Sequence, residues 1–180
     1  YRLRRRVEER IQQHREQAHE NAYLGFLDPE DGDTPLAVRP DVCFSFPNEY
    51  PYNRLYDGGH TFHNHYYPQI GDFDSGEEER CAQFIDRLPP IDYWVRNLDR
   101  RPRHAFWLQT STDRFYPDFV CRLRDERYLV VEYKGADRWS DDDSHEKRTL
   151  GELWAERSDG QCLFVMPKGP DHDTIRAEVG

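Results

Sequence analysis

The sequence predicts an α/β fold, a mixed central sheet flanked by helices, preceded by an N-terminal helix and an irregular extension with short strands. Three observations predict it. Apolar residues recur at helical spacing after Ser75 and again from about Ser144 to Arg157. Five short apolar or alternating runs lie between and after those segments, as strands of a layered α/β domain would. A block rich in proline and aromatic residues precedes them all. The chain has 180 residues, which suits one modest core, and its 14% aromatic content argues against disorder despite 33% charged residues.

Residues 1–24 read as a basic helix, with Leu3, Val7, Ile11, His14 and Ala18 on one narrow stripe. The pattern suits a tether leaning on a neighbour; Arg2, Arg4, Arg5, Arg6 and Arg10 offer phosphate contacts as the alternative. Residues 25–76 form the irregular extension, with weak strands expected at Val42–Phe46 and His60–Tyr66. The third unit spans 77–180. Its first helix starts at Ser75, carries Glu77, Glu78 and Glu79 where the helix dipole favours acids, and stops at Pro89-Pro90. Strands follow at Ile91–Val95, Ala105–Leu108, Phe115–Leu123 and Tyr128–Tyr133, the first two joined by a basic turn. A helix from Ser144 to Arg157 buries Leu150, Leu153 and Trp154, a strand at Cys162–Met166 follows, and a short helix near Asp171–Val179 ends the chain.

Charge narrows the partners. Lys and Arg total 25 against 35 Asp and Glu, a net charge of −10, so the chain as a whole does not coat a polyanion. Contact with nucleic acid then needs a local basic patch, a metal or an attached partner. The apolar runs are too short to span a bilayer, and no leader pattern opens the sequence. Cys43, Cys81, Cys121 and Cys162 are scattered, which suits reduced thiols in a cytoplasmic protein. A chain that opens on Tyr1, with Met166 its only methionine, is expected to be a piece of a longer protein.

The chemistry concentrates at Pro117-Asp118 and Glu132-Tyr133-Lys134. Side chains alternate along a strand, so Glu132 and Lys134 share a face. If their strands form a hairpin centred on Asp125, Asp118 faces Glu132, which requires an odd-length loop or a bulge; a two-residue turn would set Asp118 against Tyr133 instead. Two adjacent carboxylates repel unless a proton or a cation lies between them, and Mg²⁺, with Mn²⁺ as its substitute, is the natural occupant. Lys134 beside a water could orient or deprotonate it and offset charge developing on phosphorus. The competing reading is a cross-strand ion pair of Asp118 and Lys134 with Glu132 solvated.

Further candidates surround this group. Glu78 precedes Cys81, Ala82 and Ile85 at helical spacing, so it faces inward and is a further ligand or a support for a metal-bound water. Arg96, Arg100, Arg101 and Arg103 either grip flanking phosphates or form a solvated turn. Lys147 either leans toward a scissile phosphate or lies on the helix surface. Asp141, Asp142 and Asp143 read as a helix-capping loop, with a second metal as the sharper alternative. His60, His63 and His65 alternate across a strand, a poor arrangement for zinc, and no Ser or Cys nucleophile has a readable His and acid partner.

Pro117-Asp118 with Glu132-x-Lys134, in the order helix–strand–strand–strand–helix–strand, resembles the PD-(D/E)XK nuclease superfamily. The stretches HYYPQIGD (65–72), WVRNL (94–98), FYPDF (115–119), VVEYKG (130–135) and KRTLGELW (147–154) are similar to the C-terminal nuclease region of type III restriction-enzyme Res subunits and related DEAD/DEAH-box helicases, as is Glu-x-x-Cys-Ala from Glu78 to Ala82. The resemblance covers about 65–168. It implies a restriction-endonuclease-like core and Mg²⁺-dependent cleavage of DNA leaving 5′-phosphates. Asp118, Glu132 and the Tyr133 carbonyl would hold the metal, with Glu78 assisting and Lys134 attending the water. A helicase motor on the parent polypeptide is also implied, yet the sequence holds neither G-x-x-x-x-G-K-[ST] nor an Asp-Glu-Ala-His box, so the motor is absent or supplied separately. A second copy of the chain is a further candidate partner. The alternative function is a non-catalytic module that docks on nucleic acid or a protein through a nuclease-like fold.

Overall fold

The computed structural model describes residues 44, 46–110, 113–136, 139 and 142–180. The basic helix expected over 1–24, residues 42, 43 and 45 of the first weak strand, and Asp141 lie outside the described residues. In chain order the elements are α1 (Gly76–Asp86), β1 (Ile91–Arg96), β2 (Leu108–Gln109), β3 (Arg114–Phe115), β4 (Phe119–Leu123), β5 (Tyr128–Val131), α2 (Asp142–Glu156), β6 (Cys162–Val165) and α3 (Asp173–Val179). The mixed α/β class predicted from the sequence is the one the chain adopts. No helix among the described residues is long and apolar enough to cross a membrane.

Four strands form the main sheet in the order β1-β4-β5-β6, with β6 parallel to β5 and the other pairings antiparallel. A parallel neighbour needs a long crossover, and α2 supplies it. Alternation along β4 and β5 divides the core. Phe119, Cys121, Leu123, Leu129 and Val131 pack toward Cys81, Ala82 and Ile85 of α1 and Ile175 and Val179 of α3. Val120 and Val130 pack on the other side, with Leu150 and Trp154 of α2 and Phe106 and Phe115. The central strands are therefore apolar on both faces, as strands covered by two helix layers must be. Cys81 and Cys121 are buried free thiols, and Cys162 is buried at the start of β6.

Three of the predicted strands differ from the observed ones. Ala105–Leu108 does not join β1 in a hairpin; only Leu108 is in a strand, in a separate two-stranded ribbon of β2 with β3. The buried Asn97 is the reason: its amide exchanges hydrogen bonds with both the N–H and the C=O of Phe106 and donates to the Pro117 carbonyl. That clamp turns the chain away from β1. The run Phe115–Leu123 is split at Tyr116–Asp118, where Pro117 has no N–H for a ladder. His60–Tyr66 forms no strand and only a single bridge, His65 with Trp94. There the Trp94 N–H donates to the Asn64 carbonyl and the Tyr66 N–H to the Trp94 carbonyl, so the extension covers the open edge of β1. Buried Asp86 fixes this docking by accepting from the His63 and Asn64 N–H groups and the Trp94 indole.

The α2 layer tolerates no extra volume where it meets β6. A methyl group on Gly151 would lie 2.4 Å from the Phe164 ring. Gly151→Ala is expected to lower unfolding free energy by about 1–3 kcal/mol, overpacking outweighing the roughly 1 kcal/mol helix preference for Ala. Urea denaturation with an unchanged m-value is the check; an unchanged or higher midpoint would contradict the packing described.

Candidate functional site

Five segments meet at one end of the sheet: the end of β1, the approach to β4, the exit of β5, and the first turns of α1 and α2. The β4–β5 hairpin sets the register. Phe119 faces Val131, Val120 faces Val130 and Cys121 faces Leu129, and the Leu123 N–H donates to the Arg127 carbonyl at 2.8 Å. The loop is thus three residues, Arg124 to Glu126, centred on Asp125, with Glu126 in the left-handed region at φ 73°. Extending the register places Asp118 opposite Glu132. Both carboxylates lie just outside the strands, since β4 begins at Phe119 and not Phe115 and β5 ends at Val131, two residues before the expected Tyr133.

Asp118 is fixed by the Tyr133 N–H, which donates to its Oδ2 at 2.6 Å. Lys134 is held at the same place by continued pairing toward Lys168, with the Gly169 N–H donating to its carbonyl at 2.8 Å. Its Nζ lies 3.7 Å from Glu132 Oε1 and 3.8 Å from an Asp143 oxygen. Asp143, in the first turn of α2, also pairs with Lys147 at 2.7 Å, so an ordered chain of charges runs from α2 to the carboxylates. Lys147 further stands 5.6 Å from the centre of the Phe115 ring, an inward position.

Glu78 reaches the group from α1. Ser75 caps that helix by accepting the Glu78 N–H, and Glu78 reaches back to accept the Asp74 N–H at 2.8 Å, a variant of the capping box. Its other oxygen, Oε1, lies 3.1 Å from Arg96 Nε, yet the two are misaligned and neither atom has a hydrogen-bond partner among the described residues. Arg96 is thus drawn inside. Arg100, Arg101 and Arg103 are exposed, so the predicted basic cluster divides between one half-buried member and three surface ones. Arg100 pairs with Asp99, and Arg101 donates to Asn53.

Burial dominates the electrostatics. It pushes the Glu78 carboxyl up to about 8, Asp118 adding to the shift while Arg96 and the Asp74 N–H oppose it. It pushes Glu132 up to about 7 against the pull of Lys134 and Lys147. Asp118 is raised well above the usual carboxylate range, by burial first and then by Glu132. These acids sense one another and lack enough positive charge. Among the described residues no group of three or more His, Cys, Asp or Glu side chains converges to hold an ion. Two carboxylates and a main-chain carbonyl remain a donor set suited to Mg²⁺, which keeps much of its water and often takes only one or two carboxylates.

Sequence reasoning missed the pairing of Arg96 with Glu78, the place of Asp143 between two lysines, and the clamps made by Asp86 and Asn97. The i,i+4 spacing of Asp143 and Lys147 was the one available signal. No protein-family model, curated protein or solved structure matches the chain.

His65 ties the extension to this site. Its Nε2 accepts the Arg96 N–H at 3.2 Å while Nδ1 faces the Tyr67 carbonyl at 2.8 Å, which requires the neutral ring with its proton on Nδ1. Burial pushes its pKa down to about 4. With the folded value below the unfolded value of about 6.5, the unfolded chain binds the extra proton first, so stability is full above that value and is lost as pH falls toward 4. The difference in unfolding free energy between the wild type and His65→Leu is expected to shrink by on the order of 2 kcal/mol between pH 7 and 4, partial exposure screening the rest. Urea titrations at both pH values measure it, and a constant difference would refute the neutral-ring assignment.

Proposed function

We propose that the chain is a metal-dependent DNA endonuclease module with a restriction-endonuclease-like core of the PD-(D/E)XK type. In this reading it is the cutting part of a cytoplasmic restriction or antiphage helicase whose motor lies elsewhere. The observation that carries the reading is the three-residue loop that sets Asp118 opposite Glu132, with Lys134 Nζ 3.7 Å from the second carboxylate. A docking surface would have no use for three acids raised by desolvation beside a half-neutralising lysine.

Asp118, Glu132 and the Tyr133 carbonyl would hold Mg²⁺ or Mn²⁺, with Glu78 at the margin, and the ion supplies a Lewis acid for the phosphoryl oxygen and the attacking water. This chain's own side chains do the rest. Lys134, as the ammonium, orients the water by donating an N–H to its oxygen, and its charge offsets the negative charge that builds on phosphorus, while the water's proton passes to solvent. Asp143, itself paired with Lys147, holds the Lys134 ammonium in place. The water oxygen forms the new bond to phosphorus, the bond to the 3′ oxygen breaks, and that oxygen takes up a proton, leaving a 5′-phosphate.

Supercoiled plasmid incubated with Mg²⁺ or Mn²⁺ tests this. Nicking or linearisation is expected, it should stop with EDTA, and Lys134→Ala or Asp118→Ala should slow it at least about 100-fold. Cutting unchanged in either variant contradicts the assignment. DNA binding without cutting in both metals would favour the docking module instead.

A further inference from the structure

A cleft of about 330 Å³ opens beside the acids, on the far side of Arg96. Its walls come from the extension at 51–54 and 71–74 and from the segment after β1. We propose that this cleft is a nucleotide subsite, in which Arg96 and Arg101 hold the phosphate of one nucleotide of the nucleic-acid strand. The inference rests on the nuclease reading for its biological setting and on the cleft alone for its chemistry.

Arg96 carries the argument. A guanidinium offers five donors, but this one, only 11% exposed, makes a single long hydrogen bond among the described residues, from Nη1 to the Asn97 carbonyl at 3.4 Å. Its Nε, 3.1 Å from Glu78 Oε1 but misaligned, has no hydrogen-bond partner among the described residues, and Nη2 reaches Asp74 only at 3.5 Å. A half-buried, under-bonded guanidinium in the wall of a cleft is suited to an incoming oxyanion. Charge is sorted by depth around it. The Asp74 carboxylate is 90% exposed and that of Asp99 70% exposed, both at the mouth. Asp72 is already taken by Arg54 and the Phe73 N–H. Arg101, tied to Asn53, adds a second guanidinium at the rim.

Size and lining select a nucleotide over a bare phosphate. The volume lies at the lower end of small-molecule clefts, and the half-buried Tyr52 ring lines it, a face on which a base stacks, while the Phe73 ring is buried in the core under Arg96. The walls are preformed. Tyr50 donates to the Arg96 carbonyl at 2.8 Å and accepts the Gly71 N–H, and a Cβ on Gly71 would lie 3.1 Å from that of Tyr52. Because the same guanidinium faces Glu78, a phosphate bound here lies next to the acid cluster. Asp74 is the group that such a phosphate displaces from Arg96.

The test is a titration of the full chain, metal-free in EDTA, with thymidine 5′-monophosphate, inorganic phosphate and thymidine, read by NMR at arginine Nε. The monophosphate is expected to shift Arg96 and Arg101 Nε, thymidine to leave both in place, and inorganic phosphate to bind several-fold more weakly. The exposed-site variants Arg101→Gln and Asp74→Asn should weaken monophosphate binding about tenfold and strengthen it several-fold, respectively. An unmoved Arg96 resonance, no effect of Arg101→Gln, or equal affinity for inorganic phosphate would overturn the proposal. Because no metal is present, binding retained by a chain that fails to cut plasmid would sink the nuclease reading and leave the subsite standing, whereas cutting without monophosphate binding would do the reverse.

Discussion

The site depends on the number of residues in one loop. Arg124, Asp125 and Glu126 close the β4–β5 hairpin, and the left-handed φ of 73° at Glu126 is the conformation a three-residue hairpin loop needs at its last position. With three residues every cross-strand pair is centred on Asp125, and Asp118 meets Glu132. With two, the register slips by one, every side chain changes partner, and Asp118 meets Tyr133. The hydrogen bond from the Tyr133 N–H to the Asp118 carboxylate then seals the arrangement just beyond the ladder.

What the hairpin brings together is costly to fold. Glu78 and Glu132 are buried and Asp118 is half-buried, and among the described residues Arg96 on one side and Lys134 and Lys147 on the other offset them. Removing charge from water without full pairing destabilises a domain. The remaining structure compensates by rigidity: the extension seals the β1 edge, Asp86 and Asn97 clamp the loops on either side, and two helices begin at the same end of the sheet. Arg96 is the joint between the acid cluster and the neighbouring cleft, with its main chain held by His65 and Tyr50.

Much of this was legible because it follows from local rules. Ser75 with three acids marked the start of α1, Pro89-Pro90 marked its end, and the apolar runs at Tyr128–Val131 and Cys162–Val165 are strands. The face of Glu78 followed from helical spacing, and the requirement for an odd loop followed from the period of a strand. What was not legible depends on contacts distant in sequence. Nothing local says that Asn97 clasps Phe106 and Pro117, so Ala105–Leu108 read as a sheet strand. Nor does the alternation at His60–Tyr66 reveal that its backbone follows the β1 edge through a single bridge. The basic run from Arg96 to Arg103 looked uniform, whereas burial sorts it, since Arg96 alternates with Trp94 onto the α1 side of β1 and its neighbours lie beyond the strand.

The most direct measurement of the central claim is anomalous diffraction from crystals of the chain soaked in Mn²⁺. The account predicts one strong peak within coordination distance of both the Asp118 and Glu132 carboxylates, absent from Asp118→Asn crystals. A peak elsewhere, or one that persists undiminished in that variant, would contradict it.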